Sequence, residues 1–77
     1  MNDKTILNHI EELISEEQVL FAKTELNDSE KKRLKDLEVE LDQYWDLLRQ
    51  RRALRDAGKD PDKAELRGPD TVENYEQ

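Results

Sequence analysis

The sequence predicts an all-α protein: an antiparallel helical hairpin with coiled-coil-like packing, followed by a short tail. Three observations predict it. No Gly or Pro occurs before Gly58, in a text rich in Glu, Lys, Leu and Arg, and such text reads as long helix. Two stretches carry apolar residues at helical spacing, and nothing alternates as a strand does. Between them lies Asn27-Asp28-Ser29, three residues whose side chains compete with the helical backbone for hydrogen bonds. The hairpin is expected over residues 1–58, with helices at about 3–24 and 28–57, and the tail over 59–77.

The first helix is expected to start with Asp3 as its N-cap. Ile6, Ile10, Leu13 and Leu20 form one apolar row, and Leu7, Ile14 and Phe21 a second at intervals of seven. The rows are adjacent on a helix and make one broad stripe. Glu17 falls in the centre of that stripe, where a carboxylate is costly unless it is paired or reaches water. At the break, Asn27 followed three residues later by Glu30 has capping-box spacing. The second stripe is Leu34, Leu37, Leu41, Tyr44 and Leu48. Gly58 is the residue type preferred just past a helix end. Asp60-Pro61 then starts a short helical turn, with Leu66 as its expected apolar anchor. Asp70 and Glu73 repeat the capping spacing around Val72 and predict a last turn carrying Tyr75.

Pairing the stripes around the break sets Ile14 near Leu41 and Ile6 near Leu48. Helix 2 then outruns helix 1 by about two turns, roughly 8–10 residues at 1.5 Å each. That overhang carries Arg49, Arg51, Arg52 and Arg55, a cationic patch on a chain of net charge −7. Arginine forks recognise carboxylates and phosphates, so the patch is a candidate partner or anion site. Cations near a helix C-terminus also complement its dipole, and the structural role is the favoured one. Arg51 and Arg52 are expected to be the exceptions, because they flank the seam and can reach outward. Trp45, Leu47 and Leu54 lie on the flanks of the second stripe and form a candidate interface. Either the tail folds over them through Leu66, Val72 and Tyr75, or a second subunit does. A homodimer with a four-helix, two-fold arrangement is the expectation.

Several classes are argued against. The chain has no Cys, hence no disulfide framework and no thiolate metal site. His9 and Glu12 share a helix face, but there is a single His, so no metal or other cofactor is expected and His9 is placed on the helix surface. No apolar run approaches the length of a membrane span or a signal peptide. The acidic balance argues against a nucleic-acid coat. No phosphate loop, nucleophile elbow or HExxH motif occurs, and the protein is not expected to be an enzyme. The expectation is a small cytoplasmic interaction protein that binds a protein partner or itself. The alternative is an anion- or nucleic-acid-binding module using the Arg49–Arg55 cluster.

The run from Leu37 to Ala53, LEVELDQYWDLLRQRRA, resembles the central text of a bacterial family, domain-of-unknown-function (DUF) family 2630. Ala57-Gly58-Lys59-Asp60-Pro61-Asp62 and Val72-Glu73-Asn74-Tyr75 are similar to that family's C-terminal text. The resemblance spans nearly the whole chain and implies a small bacterial protein. It transfers no activity. Tyr44 stands where the family text leads one to expect a smaller residue such as Cys.

Overall fold

The computed structural model describes residues 2–68. Helix α1 spans Asp3–Phe21 and helix α2 spans Asp28–Asp56, and a 3-10 turn follows at Pro61–Lys63. The two helices pack as the expected hairpin. The expected turn around Asp70, Val72, Glu73 and Tyr75 lies outside the described residues.

The cap of α1 is Asn2, one residue earlier than expected. Its Oδ1 accepts from the Thr5 backbone N–H at 2.8 Å, which satisfies a donor that the first turn leaves orphaned. Asp3 is thereby moved into the first helical turn. At the other end, α1 stops at Phe21 rather than near Thr24. The chain must turn there so that Leu26 can pack against Leu13, Leu20 and Leu37. The capping box forms as expected: Glu30 N–H donates to Asn27 Oδ1 at 2.8 Å, and Asn27 N–H donates to Glu30 Oε1 at 3.1 Å. Lys23 also pairs with Glu30 across the loop. Along the hairpin, Arg33 grips Glu16 with two 2.8 Å hydrogen bonds.

Helix α2 ends in a Schellman motif. Gly58 has φ +72°, its N–H donates to Arg55 O at 3.0 Å, and Lys59 N–H donates to Leu54 O at 2.7 Å. Only glycine enters that left-handed region without a steric penalty. Asp60 caps the 3-10 turn by accepting from Asp62 N–H at 2.9 Å.

The core has two connected clusters. Ile6, Ile10 and Leu47 gather Ile14, Leu41, Tyr44, Leu48 and Ala64. Leu13, Leu20 and Leu37 gather Leu26, Leu34, Leu41 and Tyr44. Ile6 and Leu48, and Ile14 and Leu41, thus fall in one cluster, in keeping with the expected pairing. Glu17 is half-buried, and no buried side-chain oxygen lacks a hydrogen-bond partner among the described residues, so its carboxylate reaches water. The molecule measures 48 × 26 × 15 Å, essentially one layer of helices thick.

Two expectations about packing are corrected. Leu47 is not an exposed flank residue; it is only 6% exposed and belongs to the core. The reason is that α2 is covered on two sides, by α1 and by the returning tail, so its buried arc is wider than a two-helix pairing makes it. Leu66 is not the anchor of the tail: it is exposed, and Ala64 packs on the core in its place.

Candidate functional site

The tail returns along α2 as a polar strap. Gln50 Nε2 donates to Glu65 O at 2.7 Å, and Glu65 N–H donates to Gln50 Oε1 at 3.4 Å. Almost two turns nearer the start of α2, Gln43 Nε2 donates to Arg67 O at 3.1 Å. Between them Asp46 is buried, 1% exposed. Arg67 holds it through Nε at 2.8 Å and Nη2 at 2.5 Å, and Gln50 adds a third bond at 2.9 Å. Burial pushes the Asp46 carboxyl up. The hydrogen bonds from Arg67 and Gln50, with the charges of Arg67 and Arg49, more than offset it, and the carboxyl lies below its ordinary range. Gln43, Asp46 and Gln50 recur at three and four residues, a single face of α2. That spacing is the sequence signal for the strap, a polar face on α2 set apart from its apolar stripe.

The arginine cluster divides. Arg51 does not reach outward; it is 6% exposed. Its Nε donates to Asp3 Oδ1 at 2.6 Å, and its Nη1 donates to Asp62 Oδ1 at 2.9 Å and to Pro61 O at 3.2 Å. One guanidinium thus ties the start of α1, the end of α2 and the 3-10 turn together. Arg55 adds a 2.9 Å contact to the other Asp3 oxygen. Hydrogen bonds from Arg55 and Arg51 hold the Asp3 carboxyl below its ordinary range, and Asp3 and Asp62 raise Arg51 above its own. The arginine segment is therefore no free overhang, because Asp3 flanks α2 as far as Arg55. Arg49 and Arg52 are exposed, and no ion pair holds either one among the described residues.

The flank of α2 opposite the strap is open. At 100° per residue, Trp45 and Arg52 point to the side of the hairpin that also carries Leu7, Ile14 and Phe21 of α1, and Arg49 stands at the edge of that side, between Trp45 and the strap-side hollow that it also lines. Trp45 and Leu7 are each 43% exposed and Phe21 is 61% exposed, while Ile14 and Leu54 are half-buried. Of the three candidate interface residues, Trp45 alone lies open on this side, Leu47 having gone into the core. His9 is half-buried, its ring 4.4 Å from that of Tyr44 at 55°; the larger residue at position 44 supplies that contact. No group of His, Asp or Glu able to hold a metal ion occurs among the described residues. Two surface hollows among the described residues carry mostly charged linings, Lys23, Thr24, Glu25 and Glu30 at the hairpin tip and Asp46, Arg49, Gln50, Ala53 and Arg67 beside the strap. Neither is lined by a hydrophobic side chain larger than that of Ala53. No described helix is long and apolar enough to cross a membrane.

A family model described as "Protein of unknown function (DUF2630)" matches residues 2–77. The chain is 48% identical over 77 residues to the uncharacterized protein Rv0898c of Mycobacterium tuberculosis (strain ATCC 25618 / H37Rv), covering 95% of this chain and 88% of that protein. It is similar to the same extent, with the same coverage, to the uncharacterized protein Mb0922c of Mycobacterium bovis. No solved structure matches the chain.

Proposed function

The chain belongs to the DUF2630 family, and from that premise we propose that it is a small, non-enzymatic interaction protein of the bacterial cytoplasm, a helical hairpin whose open side docks a protein partner or a second copy of itself. One observation carries the reading. The strap covers one flank of α2, and the other flank leaves Trp45 and Leu7 each 43% exposed beside half-buried Ile14 and Leu48. Contiguous apolar surface on a small protein marks an interaction site, and Trp is among the residues that dominate interface energetics.

The test is site-specific photo-crosslinking in living bacterial cells. A photoreactive residue in place of Arg49, on the open side, should yield crosslinked products. The same residue in place of Glu12, on the far side of α1, should yield few. No product from position 49, or equal yields from both, overturns the reading.

The second reading, an anion- or nucleic-acid-binding module, rests on Arg49 and Arg52, since Arg51 and Arg55 are engaged with Asp3. Phosphate binding weakens steeply with salt whereas apolar docking does not. A salt titration of binding therefore separates the two.

A further inference from the structure

On the open side of α2, Glu38, Trp45 and Arg52 follow one another at intervals of seven. Seven residues make almost two full turns, so the three form a line along the helix. Asp42 and Arg49 repeat the relation beside it. Acids thus precede Trp45 and arginines follow it. Glu38, Trp45, Arg49 and Arg52 are exposed and Asp42 half-buried, and none of the four charges is in an ion pair among the described residues.

Resting on the docking role assigned above to this side, we propose that its occupant is a second copy of the chain, with the two α2 helices crossing antiparallel about a two-fold axis at Trp45. In that arrangement a residue a given number of positions after Trp45 meets the residue the same number before it on the other copy. Arg52 meets the partner's Glu38, Arg49 lies beside the partner's Asp42, and each pair forms twice. The two indoles meet at the centre, flanked by Leu48 and by Leu7 of α1. A parallel crossing sets like charges against each other, so the pattern selects the antiparallel one. Locally the two acids and two arginines cancel, which lessens the repulsion that a net charge of −7 per chain brings to self-association. The 48 × 26 Å extent of the single helical layer accommodates a standard interface of about 800 Å² per partner. A second copy also completes the two-layer packing that domains adopt.

The test is sedimentation equilibrium up to roughly 100 μM, with helicity followed by circular dichroism. The wild type should sediment at twice 9.2 kDa, and emission of its single Trp should shift to the blue with concentration. Glu38→Arg or Arg52→Glu alone should weaken dimerisation at least about tenfold, because each reversal creates two like-charge contacts. The double exchange should return it to within about threefold. A wild type that stays monomeric overturns the proposal, as does a dimer indifferent to both reversals. Crosslinks from position 49 to other proteins, with a monomeric wild type, overturn self-pairing and leave the docking reading standing; absence of any crosslink overturns both.

Discussion

Arg67 closes on Asp46 across 21 residues of chain, Nε 2.8 Å from Oδ2 and Nη2 2.5 Å from Oδ1. A helix residue that is almost wholly buried is thereby neutralised by the tail, and the tail is fastened to a face of α2 by charge rather than by a large apolar side chain. Burying a carboxylate without a partner is expensive, so Asp46 requires Arg67, whose own side chain stays partly in water.

Arg67→Ala should destabilise the protein by about 1–3 kcal/mol, since Gln50 alone remains on the buried carboxylate. Water reaches the half-exposed arginine end of the pair, which holds the cost below that of a fully dry ion pair. Urea denaturation measures it, and a double-mutant cycle with Asp46→Ala isolates the coupling. Unchanged stability in Arg67→Ala means that the Asp46–Arg67 pair contributes nothing.

Acid should loosen the fold. The Asp46 and Asp3 carboxyls both titrate lower in the folded chain than in the unfolded one, so their contribution is complete above the unfolded value of about 4. It is lost as pH falls through the lowered folded values. Denaturation midpoints between neutral pH and pH of about 3 should therefore fall, and Asp46→Asn should flatten that dependence. A wild type as stable in acid as at neutrality contradicts the assignment.

Within the arginine cluster the cost should be concentrated at one position. Arg51→Ala removes bonds to Asp3, Asp62 and Pro61 and should cost about 1–3 kcal/mol. Arg51→Lys should rescue little, because a point charge on a flexible stem cannot serve three fixed acceptors. Arg52→Ala, compared at concentrations low enough to keep the chain monomeric, should stay within about 0.5 kcal/mol of wild type. Thermal melts of the three variants decide it; equal effects at 51 and 52 return the cluster to a generic helix-end role.

Gly58→Ala should cost about 1 kcal/mol, because φ +72° strains any side chain. A Cβ there meets nothing within 4 Å, so the loss is conformational rather than steric contact with neighbours. Calorimetry of the variant measures it, and an unchanged melting temperature shows that the end of α2 does not need this turn.

The parts of the fold legible in the sequence are those written in short-range chemistry. The Asn27–Glu30 box, the glycine past α2 and the Asp60–Pro61 turn each depend on residues a few positions apart. The seam from Ile6 to Leu20 depends only on helical periodicity. The candidate site was legible in part: Trp45 stands open as read, while Leu47 and Arg51 went inside. Their fate depended on where residues 61–67 lie in space, which no local pattern expresses, although Gln43, Asp46 and Gln50 spell the polar face that receives them.

The amino-acid sequence alone determined two amphipathic helices, the position of the reversal between them and the pairing of their stripes, because backbone capping and apolar periodicity act within a few turns. The tertiary structure decided which flank of α2 is covered and which is left open. That choice is made by one buried carboxylate finding one distant guanidinium, a match whose value exists only once the chain has brought Asp46 and Arg67 together.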